Sequence, residues 1–549
     1  MKKILIVFCA IALMLTAACS TPEAPSDATP SGGAAASAAP AATDAGATTE
    51  VARYKVMVQR KPDDGNWDDL WLTKLVEEKF GIKLDATEVT TEGWEEKKNL
   101  AFATNALPDL FGEGLTDFDV ITYGSNGTLI DLKDLIYEHA PNVVSLYEQR
   151  PDFAAAITAP GGSIYSARGI TTTPREQSRA RVYVNTDWIE TLGMTIPTNL
   201  DELYDVLVAF KNGDPNQNGI ADEIPMGGRA SRQNTHNENG RSIAAFILSA
   251  FGLADERIVV DESGKVLFVP EQEGYRQYLI YMNRLYSEGL LDQEYYSQAE
   301  DQRVAKTSSG LYGVFPTTGA NWSEIKEEEL NSQYNCIPPL TSSINSQQIW
   351  PAYDMRLTSD YAITSICQDP VPLMKLYNWL MSEEGSMAQR MGSEVGDYDE
   401  QYGIQYVTRD GIEGLDLLFP AEKYASFNQF RSKEMTTQKF PYYWPYDVPL
   451  HIRFDERQVD LTNQIIDNYG EFYKVAFPTM FLSVEATDEI GMIEADLDSY
   501  LRQMEGQFVT GVISLDEFDS FVKGCSDRNS GRYVEIKQQA YDRYLENMK

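Results

Sequence analysis

An α/β protein of two lobes is what this 549-residue sequence predicts. Three observations carry the prediction. Apolar runs of strand length alternate with amphipathic helices from Tyr54 to Met391. The part after the first 50 residues is too long for one hydrophobic core. A polar crossing segment separates two α/β regions, which fits lobes joined by more than one passage of the chain.

Taken in order, Tyr54 to Gln59 reads as a buried strand and Trp67 to Phe80 as an amphipathic helix stopped by Gly81. Ile82 to Val89 is a strand, Trp94 to Asn105 a helix, and Pro108 to Phe111 a short strand. Strands alternating with helices imply a parallel sheet covered on both faces. Short helices follow over Asp117 to Tyr123, Leu132 to His139 and Val143 to Gln149, then a hairpin-like turn at Gly161 to Tyr165. Arg181 to Asn185 has the composition of a central strand, with helices Thr186 to Leu192 and Leu200 to Lys211 behind it. Tyr275 to Tyr286 is a strongly periodic helix ending at Gly289. Leu311 to Phe315 and Tyr361 to Ser365 are strands, and Val371 to Met381 and Glu384 to Met391 are helices.

The N-terminus reads as an export signal. Lys2 and Lys3 precede an apolar run, Ile4 to Leu15, that is short for a bilayer span, and small residues then lead into Cys19. The stretch Leu15 to Ser20 resembles a bacterial lipobox, with Thr16 where a larger apolar residue is usual and Cys19 as the lipid-modified (palmitate-bearing) first residue. A plain secretory signal with an incidental cysteine is the alternative. Residues 19–50 are almost wholly Ala, Ser, Thr, Pro, Gly and Asp, a disordered tether that would hold a folded domain off a membrane on the extracellular face of the cell.

The net charge of −37 argues against nucleic acid or anionic lipid as a direct ligand, since both need a basic surface. Cys336, Cys367 and Cys525 have no metal-ligand spacing and leave room for one disulfide at most. Three separated histidines, His139, His236 and His451, make no zinc site.

Several segments in order resemble the family 1 extracellular solute-binding proteins, in the larger lipoprotein branch of Gram-positive bacteria. They are Asp69 to Gly81 (DLWLTKLVEEKFG), Trp94 to Leu100 (WEEKKNL), Leu107 to Phe111 (LPDLF), Asp131 to Ile136 (DLKDLI), Pro197 to Tyr204 (PTNLDELY), Gly213 to Pro225 (GDPNQNGIADEIP) and Leu285 to Leu290 (LYSEGL). Beyond Met391 the match fades: Gly392 to Tyr398 departs from the glycine-rich, helix-ending pattern usual there. The resemblance implies a type II periplasmic-binding-protein fold, two α/β lobes closing about a hinge on a solute, and the role of receptor for an ATP-driven importer. The expected division is a signal over 1–18, a tether over 19–50, a first lobe from 51–175 plus about 312–368, and a second from 176–311 plus about 369–549.

Asp214, Asn216 and Asn218 alternate before Gly219, and Asp222 and Glu223 follow, so hard oxygen ligands stand at positions 1, 3 and 5 of a tight loop. The Ile220 carbonyl falls at position 7. Pro225 occupies position 12, where an EF-hand has a bidentate Glu, so Asp222, Glu223 or a residue from elsewhere must complete a structural Ca2+ shell. A solvated Asn/Gly turn is the alternative.

Sugar sites stack aromatic rings on pyranose faces while carboxylates, amides and Arg bind the hydroxyls. Candidates of these types in polar settings are Trp67, Asp68, Phe111, Glu113, Arg175, Trp322, Trp350, Tyr353 and Asp354, with Tyr442 to Tyr446 as a further aromatic cluster. For each aromatic, burial in a core is the competing explanation. The expected partners are an oligosaccharide or other polar solute and the permease subunits of an ABC transporter. A secreted hydrolase or lyase acting through two carboxylates, and a calcium-stabilised adhesin, are the competing functions.

Overall fold

The computed structural model describes residues 51–178, 181–230, 242–317, 324–409, 412–445 and 456–549. The expected signal (1–18), the tether (19–50) with Cys19, and Trp322 lie outside the described residues. Among those described, no helix is long and apolar enough to cross a membrane.

Two four-stranded sheets organise the chain. The first runs in the order Ala362–Ile363, Leu110–Phe111, Ala52–Arg60, Ile82–Thr90. Its two long strands pair in parallel from Ala52 opposite Ile82 to Arg60 opposite Thr90. Leu110–Phe111 is parallel to the central strand, and Ala362–Ile363 is antiparallel at the edge. The helices between these strands stop where the sequence says they must. Gly81, at φ 63°, takes the left-handed conformation that lets its N–H reach the Glu77 carbonyl. Asn105, at φ 54°, does the same for Trp94–Thr104. Val56, Val58 and Leu110 from this sheet pack with Leu373, Leu376, Tyr377 and Leu380 from helix Val371–Leu380.

The second sheet has the order Tyr334–Cys336, Arg181–Asn185, Tyr312–Thr317, Ile224–Met226. Arg181–Asn185 and Tyr312–Thr317 are buried along their whole length and pair antiparallel. Ile224–Met226 lies parallel to Tyr312–Thr317 on the other side. Its core joins Val182, Val184, Leu203, Leu207 and Phe210 to Leu461, Ile465, Leu497, Leu501 and Ile536 from the C-terminal helices.

These memberships correct the expected lobe boundaries. Tyr312–Thr317 and Tyr334–Cys336 were expected with the first sheet and belong to the second, because Tyr312–Thr317 finds strand partners on both edges there. Helices Val371–Leu380 and Glu383–Arg390 were expected with the second lobe. Leu373, Leu376, Leu380 and Ala388 instead close the first core. The turn Gly161 to Tyr165 forms no hairpin. It is a tight loop in which Ser163 O accepts from Ala159 N–H at 2.8 Å.

Three chain passages between the cores lie side by side. Trp350–Ala352 pairs in parallel with Tyr473–Val475. Ser178 bridges antiparallel to Ala352, and Tyr353 N–H donates to Gln177 O at 2.8 Å. Trp350 is fully buried, stacks on Tyr469 at 3.6 Å between ring centres, and donates its indole N–H to Ser178 Oγ at 2.8 Å. Just after the third passage, Phe481 and Val484 seat in a cluster with Met57, Phe111 and Ala362 of the first sheet. The helix that follows, Val484–Val509, then carries Leu497, Leu501 and Phe508 into the second core.

Truncating Trp350→Ala removes this stack and leaves a cavity where the passages meet. We expect a loss of about 3–5 kcal/mol, read as a lower urea midpoint.

Candidate binding site

In open α/β sheets, ligands bind beyond the carboxyl ends of the strands. At the first sheet, Ala52–Arg60 runs into Lys61 to Asp64 and Leu110–Phe111 runs into Gly112 and Glu113. The Glu113 carboxylate accepts from Gln59 N–H at 3.1 Å and lies 3.0 Å from Lys439 Nζ. Lys439, also 3.1 Å from Asp64, is buried to 2% exposure. Burial pushes the Glu113 carboxyl up, and the ammonium groups of Lys439 and Lys61 only partly offset it.

Beside this edge, Gly169–Thr171 pairs in parallel with Tyr443–Trp444. The approach is so close that a Cβ on Gly169 would meet the Tyr442 backbone at 2.4 Å. The next turn, Pro174–Gln177, presents Glu176 to Arg356 at 2.6 Å and Arg390 at 3.8 Å. Arg390 donates to the Tyr442 hydroxyl at 2.8 Å and lies 5.5 Å from the centre of the Trp444 ring. Burial alone would raise the Glu176 carboxyl. Arg356 and Arg390 overcome it and hold the group at about 2.

At the second sheet, the Thr317 hydroxyl donates to Glu324 at 2.6 Å. Glu324 and Glu300 together grip the buried Arg303 at 2.9–3.0 Å, and Arg229 lies 3.4 Å from Glu300. Burial works against the Arg303 charge, but the two carboxylates more than restore it. Both sheet edges therefore end in paired charges and hydrogen-bonding groups, the first with aromatic rings among them. Such a surface suits a polar solute whose hydroxyls both donate and accept.

The loop after helix Leu200–Asn212 turns tightly, with Asp214, Gln217 and Gly219 all at positive φ. Asp214 accepts from the N–H groups of Asn218 and Gly219 at 3.1 Å, and the Asn216 and Asn218 amides converge on Asp222 at 3.2 Å. Glu223 Oε1 is buried without a partner. Burial raises the Glu223 carboxyl, reinforced by Asp222 and Asp214. Among the described residues, no group of three or more His, Cys, Asp or Glu side chains gathers as a metal site. This loop draws on Asn oxygens as well, and an orphaned carboxylate oxygen beside two further acids suits a hard cation.

No family model matches the chain. It is 27% identical over 510 residues, spanning 88% of this chain and 89% of the relative, to the fructooligosaccharide ABC transporter substrate-binding protein FusA of Streptococcus pneumoniae serotype 4. The solved structure of FusA in complex with kestose superposes with a TM-score of 0.69 at 25% identity, over 90% of this chain and 100% of that one. Along almost its whole length the chain is similar to substrate-binding proteins of ABC transporters. The chain is also 23% identical to the lipoprotein LipO of Bacillus subtilis, over 82% of this chain and 84% of LipO. It shares its fold with a solute-binding protein of Bifidobacterium longum infantis described as binding HMO, with a TM-score of 0.75 at 21% identity over 90% and 99% of the two chains. An EF-hand mutant of FusA has been solved as well.

The fold gathers some of the expected site residues and disperses others. Glu113 stands at the first sheet edge, and the backbone of Arg175 lies in the turn beside Glu176. Trp67 is buried, donates its indole N–H to Leu84 O at 2.9 Å and meets Phe440 edge-on. Phe111 is fully buried against Phe102. With Trp350, these are core rings, as the competing explanation has it. Tyr353 and Asp354 belong to the crossing segments, where Asp354 accepts from the Thr479 N–H and hydroxyl at 2.8 and 2.9 Å. Asp68 is exposed in the turn Trp67–Asp69. Cys336 and Cys525 are buried and Cys367 half-buried, all three unpaired.

Sequence reasoning missed Asp64, Lys439, Arg356 and Arg390. Only Tyr442 and Trp444 carried a signal, as part of a dense aromatic run.

The Glu176 carboxyl has a folded value of about 2 against an ordinary 4.5, so its contribution is complete above 4.5 and is lost as the pH falls towards 2. Glu176→Gln should cost about 2–3 kcal/mol at neutral pH. The gap to wild type should close on acidification, read from denaturant midpoints across that range.

Proposed function

We propose that this protein is a lipid-anchored extracellular receptor that captures an oligosaccharide between its lobes and delivers it, unaltered, to the permease of an ABC importer. The observation that carries this reading is the similarity to FusA along almost the whole of both chains. The paired charges and aromatic rings at the sheet edges support a neutral, hydroxyl-rich solute over an ion. The first lobe is read as residues 51–175 plus about 356–445, and the second as 181–345 plus 456–549, with the crossing segments as the hinge. Attachment through Cys19, with residues 20–50 as a tether, accounts for the N-terminal sequence, and LipO is a lipoprotein relative. The relatives along the full length are substrate-binding proteins of transporters, which sets the hydrolase or lyase reading aside.

In the same reading, Asp214, Asn216, Asn218, the Ile220 carbonyl, Asp222 and Glu223 hold a Ca2+ ion. The ion supplies fixed positive charge that cross-braces the loop between helix Leu200–Asn212 and strand Ile224–Met226.

A thermal-shift titration with oligosaccharides tests the receptor function. A true solute at a hundredfold excess over its Kd should add about 2.7 kcal/mol to folded-state stability and be recovered intact. Released products, or an unmoved melting point with every oligosaccharide, would overturn it. Calcium should raise the melting temperature of the wild type and leave that of Asp214→Ala unchanged. Equal melting of the metal-free and calcium-loaded wild type would remove the ion from the account.

A further inference from the structure

Glu113 stands just beyond strand Leu110–Phe111, and its two carboxylate oxygens are in different situations. Oε1 is engaged: Gln59 N–H donates to it at 3.1 Å, and Lys439 Nζ lies 3.0 Å away. Oε2 receives no hydrogen bond among the described residues. It is not enclosed either, since the Glu113 side chain remains 17% exposed. An ionised carboxylate can only accept, so this open oxygen calls for a donor. On a saccharide bound beyond the strand ends, that donor is a hydroxyl.

The support for Oε1 comes from far along the chain. Lys439 lies between helix Phe427–Glu434 and strand Tyr443–Trp444, and its backbone passes close to Gly112, where a Cβ would sit 3.3 Å from the Lys439 carbonyl. Its ammonium, on a side chain 2% exposed, is held between Glu113 and Asp64 at 3.0 and 3.1 Å. Asp64 also accepts from Lys61 N–H at 2.9 Å, which closes the loop after strand Ala52–Arg60 onto the same cation. Enclosed in this way, Lys439 acts through the carboxylate it touches. By fixing Oε1 it fixes where Oε2 stands. The set holds two carboxylates against one buried ammonium, and the exposed Lys61 is the further cation facing Glu113. An anionic sugar brought to Oε2 would meet like charge, with the balancing ammonium shut behind it.

We propose that Glu113 Oε2 accepts a solute hydroxyl, that Lys439 is the positioning residue for this carboxylate, and that the pair restricts the site to uncharged glycans. The proposal rests on the reading of the protein as a saccharide receptor and gives one atom of the first sheet edge its role. The contact needs the carboxylate ionised. Burial works against that, while the ammonium groups of Lys439 and Lys61 and the Gln59 N–H work for it. Burial prevails and the Glu113 carboxyl stays above its ordinary value, so affinity is full at neutral pH and falls as acidification reaches Glu113, before the ordinary 4.5.

Calorimetric titration of the full protein with kestose, maltotriose and cellotriose, and with trigalacturonate as the anionic counterpart, tests it. At least one neutral sugar should bind, and more tightly than trigalacturonate. Glu113→Gln, which keeps the shape and removes the charge, should weaken that sugar about tenfold at neutral pH. It should also flatten the fall in affinity that the wild type shows between neutral pH and 4.5. The double variant Asp64→Asn with Lys439→Met removes one charge of each sign, and its affinity midpoint should move to higher pH. A Lys439 that only braced the fold would lower the melting temperature and leave that midpoint where it is. Wild-type affinity in Glu113→Gln, an unmoved midpoint in the folded double variant, or a preference for trigalacturonate would overturn the proposal and leave the receptor reading standing. Absence of binding with all of these saccharides would overturn the receptor reading, and the proposal with it.

Discussion

Trp350 sits at full burial where the chain passes between the two cores, with its ring on Tyr469 and its N–H on Ser178. Much of the architecture follows from needing such a place. The central strands of both sheets are largely buried, so each sheet draws covering helices from distant parts of the sequence. The first takes Val371–Leu380 and the second takes Glu456–Tyr469. Each borrowing requires a passage between cores, and passages carry backbone groups that must be satisfied away from regular structure. Pairing Trp350–Ala352 with Tyr473–Val475 and bridging Ser178 to Ala352 satisfies them together. These backbone pairs tie the passages to one another, and the Trp350–Tyr469 stack fixes them to the second core.

Electrostatics divides the same way. The chain carries a net charge of −37, yet its buried charges are paired: Lys98 with Asp119 at 2.7 Å, Arg168 with Asp360 at 3.1 Å, Arg303 with two glutamates. Burial nevertheless pushes several carboxyls up, Asp360 and Glu113 among them, and Glu505, whose oxygens receive the hydroxyls of Tyr278 and Tyr296 at 3.1 and 3.2 Å. A raised carboxyl favours the folded state at low pH and loses that advantage as the pH rises above the ordinary range. Glu176 behaves in the opposite sense. Acidification therefore weakens one edge of the site while relieving buried charge elsewhere.

Much of the fold was legible because its signals are local. Gly81 ends a helix by its φ, and Arg181–Asn185 reads as a central strand because every side chain is buried. Lobe membership was not legible. Whether Tyr312–Thr317 joins one sheet or the other depends on pairing partners more than eighty residues away, and no local pattern encodes that choice. The site suffered from the same blindness. Trp67, Phe111 and Trp350 have site-like neighbours in sequence, but sequence does not show which way a ring points. Lys439 lies among Thr and Gln with nothing to mark it, and becomes conspicuous only once folding sets it between Asp64 and Glu113. The loop from Asp214 to Glu223 was readable because its oxygens come from consecutive residues.

The helix Val484–Val509 joins the halves in a different manner from the crossing segments. At 26 residues it is about 39 Å long, rooted near Phe481 in the first half and at Phe508 in the second. A stiff rod embedded at both ends denies either half an independent melting transition, since losing one anchorage frays the other. On heating, calorimetry would register a single cooperative endotherm for two cores of unequal size.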